Sequence, residues 1–338
     1  MEEQFLIIQT AFIGDVVLAT GIIEKLSTHY PQAKIDFVLR KGNEGLLVNH
    51  PKIRKLIIWD KTKNKLGNLW KILNNVRRTR YDKVINVQRF AATGLLTAFS
   101  GATQTIGFDK NPMSFMFGKK VKHIVSDGVT VRHEIERNND LVADFTDPVP
   151  FRPMLYPAQT DFAVVDKYKT QSYITISPAS VWFTKQYPKE KWISFLKKLP
   201  GDLRIFLLGG PGDKALAEEI KATIASSFVE NLCGRLTFLQ SAALMKDAMM
   251  NYVNDSAPMH FASAMNAPVT AVYCSTMPMF GFGPLSDLSY IVEIPEPLYC
   301  RPCGLHGRSA CPEGHFFCAY KIRDEQLLGS IHINSERS

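Results

Sequence analysis

The chain has 338 residues, 46% hydrophobic and 21% charged, which is the composition of an ordinary globular protein and the length of two domains of roughly 150 residues each. It lacks the ~18-residue apolar run of a membrane-spanning helix, and the FLII run after Met-Glu-Glu is too short for a signal peptide, so a cytoplasmic location is expected. A net charge of +8 points to an anionic partner.

The first elements in chain order are a strand over Phe5–Gln9, the turn TAFIGD, and a helix buried through Val16, Val17, Ala19, Ile22, Ile23 and Leu26. A strand, a glycine turn and a helix open a nucleotide-fold domain. The turn holds only Gly14 and not G-x-G-x-x-G, which weighs against a dehydrogenase. Asp15 stands where open α/β sheets place their ligands. It suits a general base for a hydroxyl or, equally, a carboxylate stabilising the helix N-terminus.

Further strands are expected at Ile35–Leu39, Leu56–Trp59 and Val84–Val87. The lysine-rich Leu66–Arg80 reads as an amphipathic helix, with Leu66, Leu69, Trp70, Leu73 and Val76 as its buried side. Between Lys52 and Lys83 there are eleven Lys or Arg residues and two acids, Asp60 and Asp82. No nucleic-acid motif accompanies them, so a phosphorylated substrate or an anionic membrane surface ranks above nucleic acid. From Asn111 to Asp147 a helix is expected near His133, Glu134 and Asn138, with no assignable chemistry.

Four prolines within Asp147–Gln159 mark a domain boundary. Strands at Tyr173–Ile176 and Arg204–Leu208 then alternate with helices at Lys189–Leu199, Lys214–Ala225 and Phe238–Ala248. Tyr252 and Val253 lie in a further strand, followed by the polar turn Asn254-Asp255-Ser256, a helix and a strand over Val269–Tyr273. Asp255 and Ser256 are placed to cap that helix, whose positive end suits a phosphate, with His260 about one turn beyond. The turns Ser177–Ser180, Gly209–Asp213 and Asn254–Ser256 lie at strand carboxyl ends and are expected to share one crevice. Lys185 is the candidate cation there.

These residues form motifs that resemble glycosyltransferase family 9, the ADP-heptose:lipopolysaccharide heptosyltransferases. IGDVVLAT, FTKQYPKEKW, FLLGGPGDKALAEEI, NLCGRLTFLQSAALMKDA, NDSAPMHFASAMNAPVTAVYCST and GFGP occur in the family's order, and the likeness covers nearly the whole chain. The chain departs from the family pattern at Ala257, where the family has Gly after Asp-Ser, and at Cys274-Ser275-Thr276, where it has Gly-Pro-Thr. The proline common in the family's first helix is missing, with Thr20-Gly21 nearby.

The resemblance implies a GT-B fold, two Rossmann-like domains facing across a cleft. An acceptor-binding domain would span 1–155, a nucleotide-sugar-binding domain 156–320, and a C-terminal helix and tail 321–338. The final helix, roughly Arg323–Ile331, would pack near the interdomain region. It implies inverting transfer of heptose from ADP-heptose to a Kdo/lipid A or heptosyl acceptor at the inner face of the inner membrane, with no cofactor and no metal. Asp15 would be the catalytic base. Ser180, Lys185, Gly209, Gly210, Asp213, Asp255, Ser256, Ala257 and His260 would bind the donor. Another nucleotide-sugar donor, or a nucleotide-sugar epimerase of the same fold, is the alternative. Cys300-x2-Cys303-x7-Cys311-x6-Cys318, with His306 and His315, has the look of a metal knuckle, but reduced thiols or occasional disulfides are the stronger expectation.

Overall fold

The computed structural model describes residues 3–125 and 131–335. The chain divides into two compact units, Met1–Tyr156 and Pro157–Ser338.

In the first unit β1 (Gln4–Ile8), α1 (Ile13–His29), β2 (Lys34–Arg40), β3 (Ile53–Trp59), α2 (Lys65–Thr79) and β4 (Lys83–Asn86) follow in turn. Then come α3 (Ala91–Ala98), β5 (Gln104–Phe108), β6 (Lys119–Val121) and α4 (Glu134–Asp140). The strands form one sheet in the order β3-β2-β1-β4-β5-β6, with every pair parallel. Phe5, Leu6, Ile7 and Ile8 are fully buried, as a central parallel strand covered on both faces requires.

The six expected apolar residues of α1 are all buried. The proline-rich segment is partly fastened to this helix. Buried Lys25 donates to Asp147 Oδ1 at 2.6 Å and to the Val149 carbonyl at 2.5 Å. The Met154 N–H donates to Thr20 Oγ1 at 2.9 Å. A side chain on Gly21 would meet the Phe151 carbonyl oxygen at 2.6 Å. Thr20 and Gly21, a departure from the family pattern, are therefore the pair against which this segment lies.

In α2 the expected face is corrected. Leu69, Ile72, Leu73 and Val76 are buried in a cluster with Leu6, Ile8, Ile57 and Trp59. Leu66 and Trp70, assigned to the core from the sequence, are 69% and 63% exposed. The helix carries more apolar residues than one face can bury, and Ile72 replaces them at the sheet. Asn64 sets its start by accepting from the Gly67 N–H at 3.2 Å.

The second unit runs α5 (Gln159–Val165), β7 (Tyr173–Ser177), α6 (Lys189–Leu196), β8 (Arg204–Leu207), α7 (Lys214–Ile224) and β9 (Val229–Asn231). It continues with α8 (Phe238–Lys246), β10 (Met250–Asn254), α9 (Ala257–Ala264), β11 (Val269–Tyr273), β12 (Ser289–Glu293), α10 (Phe317–Tyr320) and α11 (Asp324–Ser335). The sheet order is β12-β11-β10-β7-β8-β9, again all parallel.

Helix α11 packs on this unit's own core through Leu327. Tyr252 donates its hydroxyl to the Leu327 carbonyl at 3.0 Å. Asp324 accepts from Ser194 Oγ at 2.5 Å and lies 3.0 Å from Lys198 Nζ. No helix among the described residues is long and apolar enough to cross a membrane.

Candidate active site

In a doubly wound sheet ligands gather outside the carboxyl ends of the strands, where the strand order reverses. In the first unit that point lies between β1 and β4, and Asp15 stands beside it in the first turn of α1. Lys61 reaches the same edge, donating to the Thr10 carbonyl and hydroxyl at 2.9 Å each. Burial, helped by the charges of Arg40 and Lys65, pushes its ammonium down to about 8.

Helix α4 supplies groups that the sequence reading left without chemistry. His133 caps it, Nδ1 accepting from the Ile135 N–H at 3.2 Å. Two guanidinium nitrogens of Arg137 meet Glu134 Oε2 at 2.8 and 2.6 Å. Burial raises the Glu134 carboxyl above its ordinary range against the pull of Arg137, and the charge of Asp15 raises it further. Asp15 therefore shares its electrostatic surroundings with a buried carboxyl–guanidinium pair. His123 is held down to about 4 by burial and by Arg89 and Arg137. Its ring meets Phe108 edge to face at 4.7 Å.

In the second unit the reversal lies between β7 and β10. Asn254 joins the two strand ends: its Nδ2 donates to the Ser177, Pro178 and Ala179 carbonyls at 3.0–3.3 Å. Its Oδ1 accepts the Tyr187 N–H at 2.9 Å. Just beyond, Lys185 Nζ lies 2.7 Å from Asp255 Oδ2. The same oxygen accepts from Thr276 Oγ1 at 2.7 Å.

This overturns the expected cap at α9. Ser256 occupies the cap position without a side-chain cap bond, its hydroxyl donating instead to the Asn254 carbonyl at 3.3 Å. The Asp255 carboxylate is held by an ammonium and a hydroxyl instead, a pair in which both the Lys185 donor and the Asp255 acceptor carry full charge, whereas a backbone cap supplies only a neutral donor. Ala257 begins α9, and His260 is buried on it.

The other expected donor residues hold their own turns. Asp213 Oδ2 accepts the Gly210 N–H at 2.8 Å. A side chain on Gly209 would meet Asp213 Oδ2 at 2.8 Å and Cys233 Sγ at 3.1 Å. The Ser180 N–H donates to Gln186 Oε1 at 3.2 Å.

Residues missed in the sequence complete the support of Lys185. Thr184 Oγ1 accepts from Ser275 Oγ at 2.9 Å and from the Arg308 N–H at 2.7 Å. The Cys303 N–H donates to the Ser275 carbonyl at 2.9 Å. Gly307, at φ +74°, lies against the lysine stem, where a Cβ would meet Lys185 Cγ at 2.8 Å. The cysteine-rich tail is thus joined to the site.

The cysteines of that tail are free thiols. Cys318 belongs to the core, and burial pushes its thiol up to about 12. Among the described residues no group of three or more His, Cys, Asp or Glu side chains could hold a metal ion.

A family model described as "Glycosyltransferase family 9 (heptosyltransferase)" matches residues 69–309, well over half of the chain. The chain belongs to glycosyltransferase family 9. This glycosyltransferase is 27% identical over 287 residues to "Lipopolysaccharide heptosyltransferase 3" of Escherichia coli, covering 80% of the chain and 83% of the relative. Its fold is that of E. coli ADP-heptose lps heptosyltransferase II, with a TM-score of 0.80, 21% identity, and 99% and 100% of the two chains covered. The family 9 glycosyltransferase of Veillonella parvula matches with a TM-score of 0.82 and 20% identity, over 99% and 98%. The family 9 chain described here therefore has the GT-B fold, each Rossmann-like unit carrying one polar cluster at its topological switch point.

Proposed function

We propose that the protein transfers heptose, with inversion, from ADP-heptose to a Kdo/lipid A or heptosyl acceptor of the lipopolysaccharide core. The observation that carries this reading is the Lys185–Asp255–Thr276 cluster at the switch point of the second unit, in a chain whose relatives bear that activity in their names.

Lys185 supplies positive charge to the diphosphate as the anomeric bond breaks, aided by backbone N–H groups at Ser256 and Ala257 at the helix N-terminus. Asp255, itself anionic, repels a diphosphate and acts on it through Lys185, which it holds in place with Thr276. Gly209, Gly210, Asp213, Ser180 and His260 shape the surrounding turns. Asp15 takes the proton of the attacking acceptor hydroxyl, whose oxygen displaces ADP at the anomeric carbon. Lys61 and Arg89 offer cations on the acceptor side.

The protein would act in the cytoplasm, at the inner face of the inner membrane, where an acceptor rich in phosphate and acidic sugars meets the cations of the first unit. The test is transfer measured with a panel of ADP- and UDP-sugars on a Kdo–lipid A acceptor. Turnover with ADP-heptose is expected; absence of turnover with every ADP-sugar would overturn the reading.

A further inference from the structure

Helix α2 presents two unlike faces. Its buried face is complete without Leu66 and Trp70, and these two large apolar residues of the helix stand in solvent. They are four residues apart, one turn along the helix, and so share a face. Around them Lys63, Lys65, Lys71, Arg77, Arg78 and Arg80 are exposed. None of these six is in an ion pair among the described residues, whereas other cations of the region are neutralised, Arg54 by Asp36 and Lys83 by Glu3. No acid lies between Asp60 and Asp82.

We infer that α2 is a membrane-docking helix, in which Trp70 and Leu66 enter the headgroup region of an anionic bilayer and the surrounding Lys and Arg side chains bind its lipid phosphates. The chemistry selects this occupant over two others. A nucleic acid would use the cations and could stack on the Trp70 indole, but an exposed leucine has no face for a base. A second copy paired through the same helix would bring two sets of unpaired cations together. A bilayer takes both parts: indole rings reside at the interface, leucine partitions into the acyl boundary, and each nearby cation adds about 1 kcal/mol on an anionic surface. Neither residue belongs to the proposed chemistry, so the surface is separable from it. The inference deepens the reading of a lipid-borne acceptor and rests on that part of it.

The test is sedimentation of the full chain with vesicles of phosphatidylcholine alone and of phosphatidylcholine with phosphatidylglycerol, without donor or acceptor. Binding is expected to the anionic vesicles only. The double variant L66N/W70S keeps the net charge and alters only exposed positions. It is expected to bind at least about tenfold more weakly, a 1.4 kcal/mol change, while retaining wild-type transfer to a delipidated, water-soluble acceptor. Brominated lipid should quench part of the wild-type tryptophan fluorescence, and this quenching should fall in W70F.

Equal vesicle binding by wild type and double variant would overturn the inference. So would a wild-type chain that prefers RNA to the anionic vesicles, or one that self-associates through Trp70. If vesicle binding behaves as expected but no ADP-sugar is turned over, the catalytic reading fails and the docking surface stands.

Discussion

The two units have the same strand order when counted from the first strand of each, with β1 and β7 in equivalent central positions. Their switch points nevertheless carry opposite charge. The turn region after β1 leads with the carboxylate Asp15, whereas the segment after β7 leads with the ammonium of Lys185, and the acid there comes from the end of β10. Topology decides where a functional side chain can stand; the residue placed there decides whether that edge withdraws a proton or neutralises a leaving group. The surroundings differ accordingly. Asp15 stands in the field of the buried Glu134 carboxyl, while Lys185 is fixed by one carboxylate, two threonines and a glycine.

The largest effect should come from breaking the first cluster. D15N is expected to lower kcat for heptose transfer by about 10²–10⁴-fold, with ADP affinity measured by calorimetry left near wild type. Breaking the second cluster should show the converse weighting. K185M is expected to weaken ADP binding by about 1.5–3 kcal/mol, the range for a hydrogen bond to a charged group, and to lower thermal stability by leaving buried Asp255 with Thr276 alone. Unchanged ADP affinity in K185M would remove the lysine from the donor site.

A finer probe is G307A, which forces a side chain into a left-handed conformation against the lysine stem. A loss of about 1–2 kcal/mol of stability is expected, with weaker ADP binding and an unaltered first unit by limited proteolysis.

The smallest effect concerns pH. With its folded value near 4 against an ordinary value of 6.5, His123 takes up its proton at a lower pH in the folded chain than in the unfolded one. Its contribution is therefore intact above about pH 6.5 and is lost as pH falls toward about 4. H123Q should flatten the fall of the melting temperature over that window.

Much of this arrangement was legible from local pattern. The strand, turn and helix around Asp15, and the three turns around Lys185, follow from apolar runs interrupted by glycine, proline and asparagine. The short α3 was not read, because its Ala-, Thr- and Gly-rich sequence carries only a weak period. The buried face of α2 was read only in part, Leu69, Leu73 and Val76 but not Ile72, because Leu66 and Trp70 compete with Ile72 for places at the sheet and only the sheet decides. In the site, Asp255 looked like a cap because a capping residue and an ion-pair partner share one local sequence. Thr276 and Gly307 were given no role for a related reason: they reach Lys185 from distant parts of the chain, and no local spacing records such a meeting.

The contact of Gly307 with Lys185 also limits how freely the end of the protein can change. The segment from Cys300 to Cys318 is loop-like and would ordinarily be a place for insertions. Here one glycine and one backbone N–H of that loop back the side chain proposed to meet the diphosphate. An insertion between Cys303 and Arg308, or a chain ended before it, would loosen a lysine more than a hundred residues upstream. For truncation or fusion design, the loop before Arg308 must therefore be kept intact, along with the core residues Phe316, Cys318, Ile322 and Leu327 that follow it.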